Sequence, residues 1–317
     1  MFENPHLWPI LAGVAIGFVV VAAAWAWLLR GWEVLKLRWA WAGAAALLTG
    51  AYLANVDAWL IEPEALVVHR VEIVSANWHG APLTIAAIGD THVGGPHVDA
   101  ARVGRVVGRI NALRPDLVVL LGDYVYGHAP QAARSPADNQ DILGAVATFA
   151  ALDARYGAVA VLGNHDGWYS REAITTALQN AGIAALWNRN VVIHRAGGTI
   201  VLAGLADPWV GRPDFAAALD GAPPGADTIV LAHNPDLFAS MPPGPALMLS
   251  AHTHCGQVTL PLLGRLQLPI HHKQYACGRV DQGGRSLFVT AGIGTSIVPV
   301  RFGNPPEIAL ITVRGAR

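Results

Sequence analysis

The sequence predicts an α/β fold, a mixed pair of β-sheets with helices outside them, preceded by two transmembrane helices. Three observations carry this expectation. Two uncharged apolar runs open the chain; short apolar runs bounded by turn residues recur through the rest; and helix-patterned stretches separate only the earlier of those runs.

The chain has 317 residues, enough for one large domain or two ordinary ones, and its 53% hydrophobic content against 14% charged is high for a soluble enzyme. The excess lies at the front. Residues 7–29 carry no charged side chain, and at about 1.5 Å per residue such a run crosses a hydrocarbon core of roughly 30 Å. Residues 39–56 form a second uncharged run, shorter and richer in Ala and Gly. Seven of the eleven tryptophans (Trp8, Trp25, Trp27, Trp32, Trp39, Trp41, Trp59) precede residue 60, near run ends where interfacial aromatic belts form. A cleaved signal peptide competes for the first run, but no basic n-region precedes it and no A-x-A site ends it cleanly. Arg30, Lys36 and Arg38 crowd the segment between the runs, which the positive-inside rule assigns to the cytoplasm. The expectation is therefore a multi-pass protein of the bacterial inner membrane whose main domain, after Leu60, is periplasmic.

Residues 1–60 form the anchor, 61–82 a linker running into a first edge strand through the Val67, Val71, Ile73 pattern, and 83–317 the main domain. Within the main domain strands are expected at 83–88, 117–121, 158–162, 191–194, 199–205, 228–231, 246–249, 286–290 and 307–313. Helices are expected at 98–113, 141–155 and 171–181. The segment 126–140 reads as a long polar loop with two prolines. A net charge of −1 supplies no general field for nucleic acid, and no nucleic-acid polymer is expected as a partner. Cys255 and Cys277 are the only cysteines; a periplasmic setting would let them pair, whereas two thiols in a chain this long are more often small buried residues.

The chemistry sits at strand ends. Gly89-Asp90-Thr91-His92, Gly122-Asp123, Gly163-Asn164-His165-Asp166, Ala232-His233 and Ala251-His252-Thr253-His254 each follow an apolar run, and a glycine before the polar residue lets backbone approach a crowded centre. Three carboxylate or amide oxygens (Asp90, Asp123, Asn164) and the imidazoles of His92, His233, His252 and His254, with no thiolate, suit Mn, Fe or Zn. That is too many ligands for one ion. Two divalent ions sharing a carboxylate form the arrangement that clamps the attacking and leaving oxygens of an in-line displacement at phosphorus.

This ordered series resembles the calcineurin-like metallophosphoesterase superfamily over residues 83–313. Its flanks, Cys255-Gly256-Gln257, Tyr275-Ala276-Cys277-Gly278, Gly292-Ile293-Gly294-Thr295-Ser296 and Pro299-Val300-Arg301-Phe302 with Pro306-Glu307-Ile308, are similar to its membrane-anchored bacterial YkuE/YaeI-type branch. The resemblance implies a four-layer α-β-β-α metallophosphoesterase sandwich and two divalent metals, Mn favoured. Asp90, His92 and His254 would bind the first, Asp123 would bridge, and Asn164, His233 and His252 would complete the second. His165 matches the family's non-ligand catalytic histidine, and Asp166 would fix its tautomer and raise its pKa. Ala251 stands where the family usually has Gly; were positive φ needed there, Ala would cost roughly 1 kcal/mol.

His128, His271 and His272 match no motif and read as loop-packing or solvent-facing residues. Gly292–Ser296 reads as a tight turn rather than a nucleotide loop. Arg301 and Arg212 suit a substrate phosphate or a structural ion pair, with Glu307 as a partner for Arg301. The leucine-rich segment 260–270 is either a lid or a contact with the membrane lipid bilayer. The implied function is a membrane-tethered dinuclear-metal hydrolase cleaving a phosphodiester or pyrophosphate bond in a lipid-linked substrate, a phospholipid or a UDP-2,3-diacylglucosamine-like glycolipid. The expected topology opposes the latter, whose hydrolysis in relatives is cytoplasmic. The rival readings are a phosphodiesterase or phosphatase for small nucleotides and a non-catalytic metal-binding membrane protein.

Overall fold

The computed structural model describes residues 7–30 and 38–316. Helices α1 (Trp8–Arg30) and α2 (Arg38–Val56) pack against each other: Trp25 Nε1 donates to Thr49 Oγ1 at 3.0 Å, Tyr52 OH donates to the Val14 carbonyl at 3.2 Å, and Trp27 meets Trp41 edge to face. Ile16, Phe18, Val19, Leu47 and Leu53 project outward, more than half exposed. Both helices are long and apolar enough to cross a membrane. The tail before Leu7 and the basic segment between the two runs, on which the expected orientation rests, lie outside the described residues.

Helix α2 runs on through a π turn (Asp57–Ile61) and a 3-10 turn (Glu62–Glu64) into strand β1 (Val67–Ser75). The main domain then alternates β2 (Leu83–Ile88), α3 (Ala100–Leu113), β3 (Leu117–Leu120), α4 (Pro136–Ala147), β4 (Ala158–Val161), α5 (Asn164–Asn180), β5 (Ala184–Leu186), β6 (Arg189–Arg195), β7 (Gly198–Gly204), α6 (Phe215–Leu219), β8 (Asp227–Leu231) and β9 (Leu247–Ser250). It continues through the small hairpin β10 (Thr259–Leu260) and β11 (Gly264–Arg265) to β12 (Gly278–Gln282), β13 (Arg285–Val289) and β14 (Glu307–Gly315).

Two six-stranded sheets result, ordered β1-β14-β2-β3-β4-β5 and β12-β13-β9-β8-β7-β6. Strands β2 to β5 are parallel, as are β7, β8, β9 and β13, so their carboxyl ends point the same way within each sheet. The sheets face each other across an apolar layer of Ile85, Val119, Leu202, Ile229, Leu249 and Ile311. On the first sheet's outer face, Val103, Val106 and Ile110 of α3, Ile142 of α4 and Ile174 of α5 bury against Ile88, Val118 and Leu120. The second sheet's outer layer is thinner: the five-residue α6 and short 3-10 turns supply Ala218, Phe238 and Tyr275. This is the four-layer α-β-β-α arrangement with a reduced fourth layer.

Several elements depart from the sequence reading. The expected loop 126–140 ends in the first turn of α4, where Ser135 accepts from Asp138 N at 3.1 Å in a capping box and Pro136 sits at the first helical position. A proline there costs no hydrogen bond, so it starts a helix rather than prolonging a loop. Helix α5 begins seven residues earlier than expected, at Asn164, with a break at Ser170. Strands β5 and β12 are too short or too polar to show as apolar runs, and they are held by their neighbours.

Candidate metal centre

Five strand ends converge. Asp90 and His92 follow β2, Asp123 follows β3, Asn164 and His165 follow β4, His233 follows β8, and His252 and His254 follow β9; all eight side chains are buried. His233 Nε2 lies 3.1 Å from Asp123 Oδ2 and 4.0 Å from Asp90 Oδ1, and His252 Nδ1 lies 3.2 Å from His233 Nε2. His92 Nε2 is 3.1 Å from His254 Nε2, which is 3.9 Å from Asp90 Oδ1. Two groupings able to hold an ion emerge, Asp90 with His92 and His254, and Asp123 with His233 and His252. A third, His92 with Asp123 and His165, overlaps both.

The backbone is forced into this arrangement. Asp90, His92, Asp123, His252 and His254 all have φ between 48° and 72°, the left-handed region that non-glycine residues avoid. Hydrogen bonds hold them there. Asp90 N donates to the Gly122 carbonyl at 2.8 Å, His92 N to the Asp123 carbonyl at 3.0 Å, and His252 N to Asp90 Oδ2 at 3.1 Å. Gly163 is required by space, because any Cβ there would collide with the Asp123 carboxylate and the His233 ring. The turn at Gly292 to Gly294 packs on Asp90 in the same way, with a Gly292 Cβ falling 2.6 Å from Asp90 Cβ.

Two expectations are corrected. Ala251 is not among the left-handed residues; the strain falls on His252, and the Ala251 methyl instead fills the space opposite Gly89, where a Cβ would come within 2.6 Å. Asp166 does not orient His165. Its carboxylate accepts from Asp123 N and Tyr124 N at 2.8 Å and Gly163 N at 2.9 Å, whereas His165 Nδ1 faces the Gly127 carbonyl at 2.9 Å. Asp166 braces two strand ends, and a carbonyl sets the His165 tautomer.

Carbonyls set other tautomers as well. The outer nitrogens of His92, His233 and His252 face the carbonyls of Val125 (3.1 Å), Leu121 (2.7 Å) and Pro269 (3.2 Å). A carbonyl only accepts, so each ring carries its proton outside and turns a lone pair inward. Lone pairs facing each other across about 3.2 Å repel unless a proton or cation lies between them. Asn164 Oδ1 is buried with no hydrogen-bond partner, a further inward lone pair that accepts from nothing. This donor set fits divalent cations.

Ionisation agrees. Burial holds His92 and His252 down to about 3 and His254 well below the usual imidazole range, so these rings are neutral, as metal ligation requires. Burial pushes the Asp90 carboxyl up to about 7 and, with Asp123 adding to it, Asp166 to about 7. Burial opposes charge on His233, but the carboxylates of Asp123, Asp90 and Asp207 outweigh it and raise its pKa to about 10. Burial would likewise raise Asp123, yet His233 and His165 hold it well below the carboxylate range. A proton at His233 does there what a cation would do.

A cavity of about 380 Å³ opens over these groups. Asp123, Asn164, His165, His252 and His254 line its floor, Trp168 and Trp209 one wall, and Leu266, Ile297, Val298 and Val300 its mouth. His128 is solvent-exposed, as expected, and also lines the cavity, with its ring 5.0 Å from His165 and 4.8 Å from Trp168. His271 and His272 stay in loop packing on Asp236. Sequence reading missed Asp207, fully buried, with Oδ2 unpartnered and burial raising its pKa to about 6. Its setting, Leu205-Ala206-Asp207 after β7, repeats Leu231-Ala232-His233 after β8, and that repeat was the available signal. Arg301 is fully buried and donates to the carbonyls of Gly294, Asn304 and Ala291, with its guanidinium 3.4 Å from His254 Nδ1. Backbone carbonyls rather than Glu307 are its hydrogen-bond partners, because Glu307 accepts from Ala291 N and faces His69. Cys255, next to His254, forms a disulfide with Cys277, tying off the segment that carries the β10–β11 hairpin.

The family profile described as "Calcineurin-like phosphoesterase" matches residues 83–256. The chain is 30% identical over 212 residues to "Uncharacterized metallophosphoesterase YkuE" of Bacillus subtilis, covering 66% of this chain and 71% of that one. It is 31% identical over 250 residues to "Phosphodiesterase YaeI" of Escherichia coli, covering 78% and 87%. With "Transmembrane protein with metallophosphoesterase domain" of Danio rerio it shares 30% identity over 258 residues, covering 74% of this chain and about half, 54%, of that relative.

Proposed function

The chain belongs to the calcineurin-like phosphoesterase family, and from that premise we propose that it is a membrane-tethered hydrolase cleaving a phosphodiester or pyrophosphate bond in a lipid-linked substrate. That it is a metal-dependent phosphoester hydrolase follows from the family; the tether and the substrate are our reading. The observation that carries this reading is one cavity with the ligand cluster as its floor and an aliphatic mouth.

Asp90, His92 and His254 would hold one divalent ion and Asn164, His233 and His252 the other, with Asp123 between them; Mn suits this oxygen and imidazole set. When bound, the metals neutralise charge on the phosphoryl group and activate water. His165 turns Nε2 toward the site, 3.9 Å from Asp123 Oδ2, with its Nδ1 proton donated to the Gly127 carbonyl, so the inner nitrogen offers a lone pair and delivers a proton to the leaving oxygen once the ring has taken one up as imidazolium. Asp166 holds the turns carrying Asp123 and Asn164 in place. No Lys or Arg is among the described residues lining the cavity, which suits the single charge of a diester better than a monoester dianion. Helices α1 and α2 support the tether, and the disulfide supports an oxidising compartment, in line with a periplasmic main domain.

A second reading, hydrolysis of small nucleotides, draws on Trp168 and Trp209, 5.8 Å apart at the wall, as a platform for a base. The test is to incubate Mn-loaded, detergent-solubilised protein with extracted membrane lipids and, separately, with a nucleotide panel, following products by mass spectrometry. Release of a phosphorylated headgroup from the lipids is expected. His165→Ala should slow it by about 10²- to 10⁴-fold with both metals retained. Unchanged lipids beside consumed nucleotides would establish the second reading.

A further inference from the structure

Beyond Val67, every exposed large hydrophobic side chain among the described residues except Val192 lines the wall or mouth of the cavity or lies on the hairpin beside it: Trp209, Leu262, Leu263, Leu266, Ile297 and Val298. Leu262 is fully exposed, and Leu263 and Ile297 are about 70% exposed. Scattered exposed aliphatics are ordinary, but a cluster from separate loops around one opening is not. Leu262 and Ile297 also sit at φ 68° and 63°, a conformation unfavourable for any side chain and more so for a β-branched one. The 296–298 backbone is held in this shape by Gln257, which accepts from Ser296 N at 2.8 Å and donates to the Val298 carbonyl at 2.6 Å, and by Tyr126 OH, which donates to the Ile297 carbonyl at 3.3 Å, so the loop is built to present its side chains outward.

Both loops are fastened to the end of the anchor. Thr259 N donates to the Phe302 carbonyl at 2.8 Å, and the neighbouring Arg301 N donates to the carbonyl of Ala58 at 2.9 Å, two residues beyond α2. The Glu62 carboxylate takes the amides of Gly303 at 2.8 Å and Asn304 at 2.5 Å. From Arg301 to Ile297 is four residues, at most about 14 Å of chain. The 296–298 tip therefore stands near the end of α2, and the hairpin is tied to the same segment through Thr259.

We propose that the β10–β11 hairpin and the 296–298 loop form an apolar wedge seated in the acyl-headgroup boundary of the bilayer that α1 and α2 cross, so that the cavity opens onto the membrane surface. The wedge rests on the reading of α1 and α2 as an anchor, and it holds whether the substrate is a lipid or a nucleotide. Burial in lipid recovers the apolar surface that water leaves exposed.

The test uses the full chain in phosphatidylcholine–phosphatidylglycerol nanodiscs, with the disulfide oxidised and an environment-sensitive fluorophore on one introduced cysteine. The sites are L263C, I297C, F18C in α1, and A196C in the β6–β7 turn at the opposite end of the sheet. An unchanged melting temperature and near-ultraviolet circular dichroism report that each variant is folded. Spin-labelled lipids should quench the label at Leu263 and Ile297 several-fold more than at Ala196, approaching the value at Phe18. Quenching at Phe18 alone would overturn the wedge and leave the anchor standing. Quenching at none of the four would overturn both.

Discussion

The floor of the cavity and its mouth both hold non-glycine residues in the left-handed region, but by different means. At the floor, Asp90, His92, Asp123 and His252 are locked by backbone hydrogen bonds and by glycines whose missing Cβ atoms make room. At the mouth, Leu262 and Ile297 carry similar strain with their side chains in the open. At the floor the strain positions buried side chains; at the mouth local bonds from Gln257 and Tyr126 hold the 296–298 backbone while the side chains it carries stay open. The floor should thus be intolerant of any change, and the mouth tolerant of all but those that alter its surroundings.

The sharpest way to break that contrast is Asp123→Ala, which removes the carboxylate of the second grouping, the one we propose lies between the two ions. Activity should fall by about 10³-fold or more, with loss of bound metal by elemental analysis; a variant retaining metal and turnover would remove Asp123 from the centre. Asp166→Asn comes next. It weakens three charge-assisted bonds to the backbone, so activity and melting temperature should fall together, activity by about 10- to 100-fold, with the shape of the pH–rate profile unchanged. A displaced profile would restore the tautomer-setting role.

The metal-free protein offers a subtler measurement. His233 is raised to about 10, so the stability it contributes is complete below about 6.5 and is lost as pH rises through 10. Over that window the melting temperature of chelated protein should decline, and His233→Gln or added Mn should remove His233's share of the slope. A slope unaffected by either would show that the proton is not held there. The smallest effect belongs to the mouth: Leu263→Asp should leave hydrolysis of a soluble aryl diester within about twofold, since an exposed position carries little of the fold's stability. A large loss on that substrate would make the hairpin part of the floor.

Much of the floor was legible because each ligand type follows a short apolar run and a small residue, a pattern that survives without knowledge of pairing. Asp207 shares the pattern and was passed over, because no motif draws attention to a lone Asp-Pro. The partners of Asp166 and His165 were not legible, since hydrogen bonds to backbone leave no mark on residue types. Nor was His128, brought onto His165 only by the course of the 126–135 chain. The prolines of that segment misled for a local reason: Ser135 and Asp138 turn Pro136 from a breaker into a helix start. The disulfide needed the 22-residue excursion between its cysteines to close, which spacing alone does not reveal.

Strand β14 lies between β1 and β2, and Glu307 at its start also takes the amide of Ala291, next to the Gly292 that packs on Asp90. During synthesis, then, the first sheet cannot close until residues 307–315 have left the ribosome and crossed to join a strand made some 240 residues earlier. A chain stopped before that point leaves β1 and β2 without the strand that lies between them, and leaves the Ala291 amide, next to the glycine that packs on Asp90, without its Glu307 acceptor.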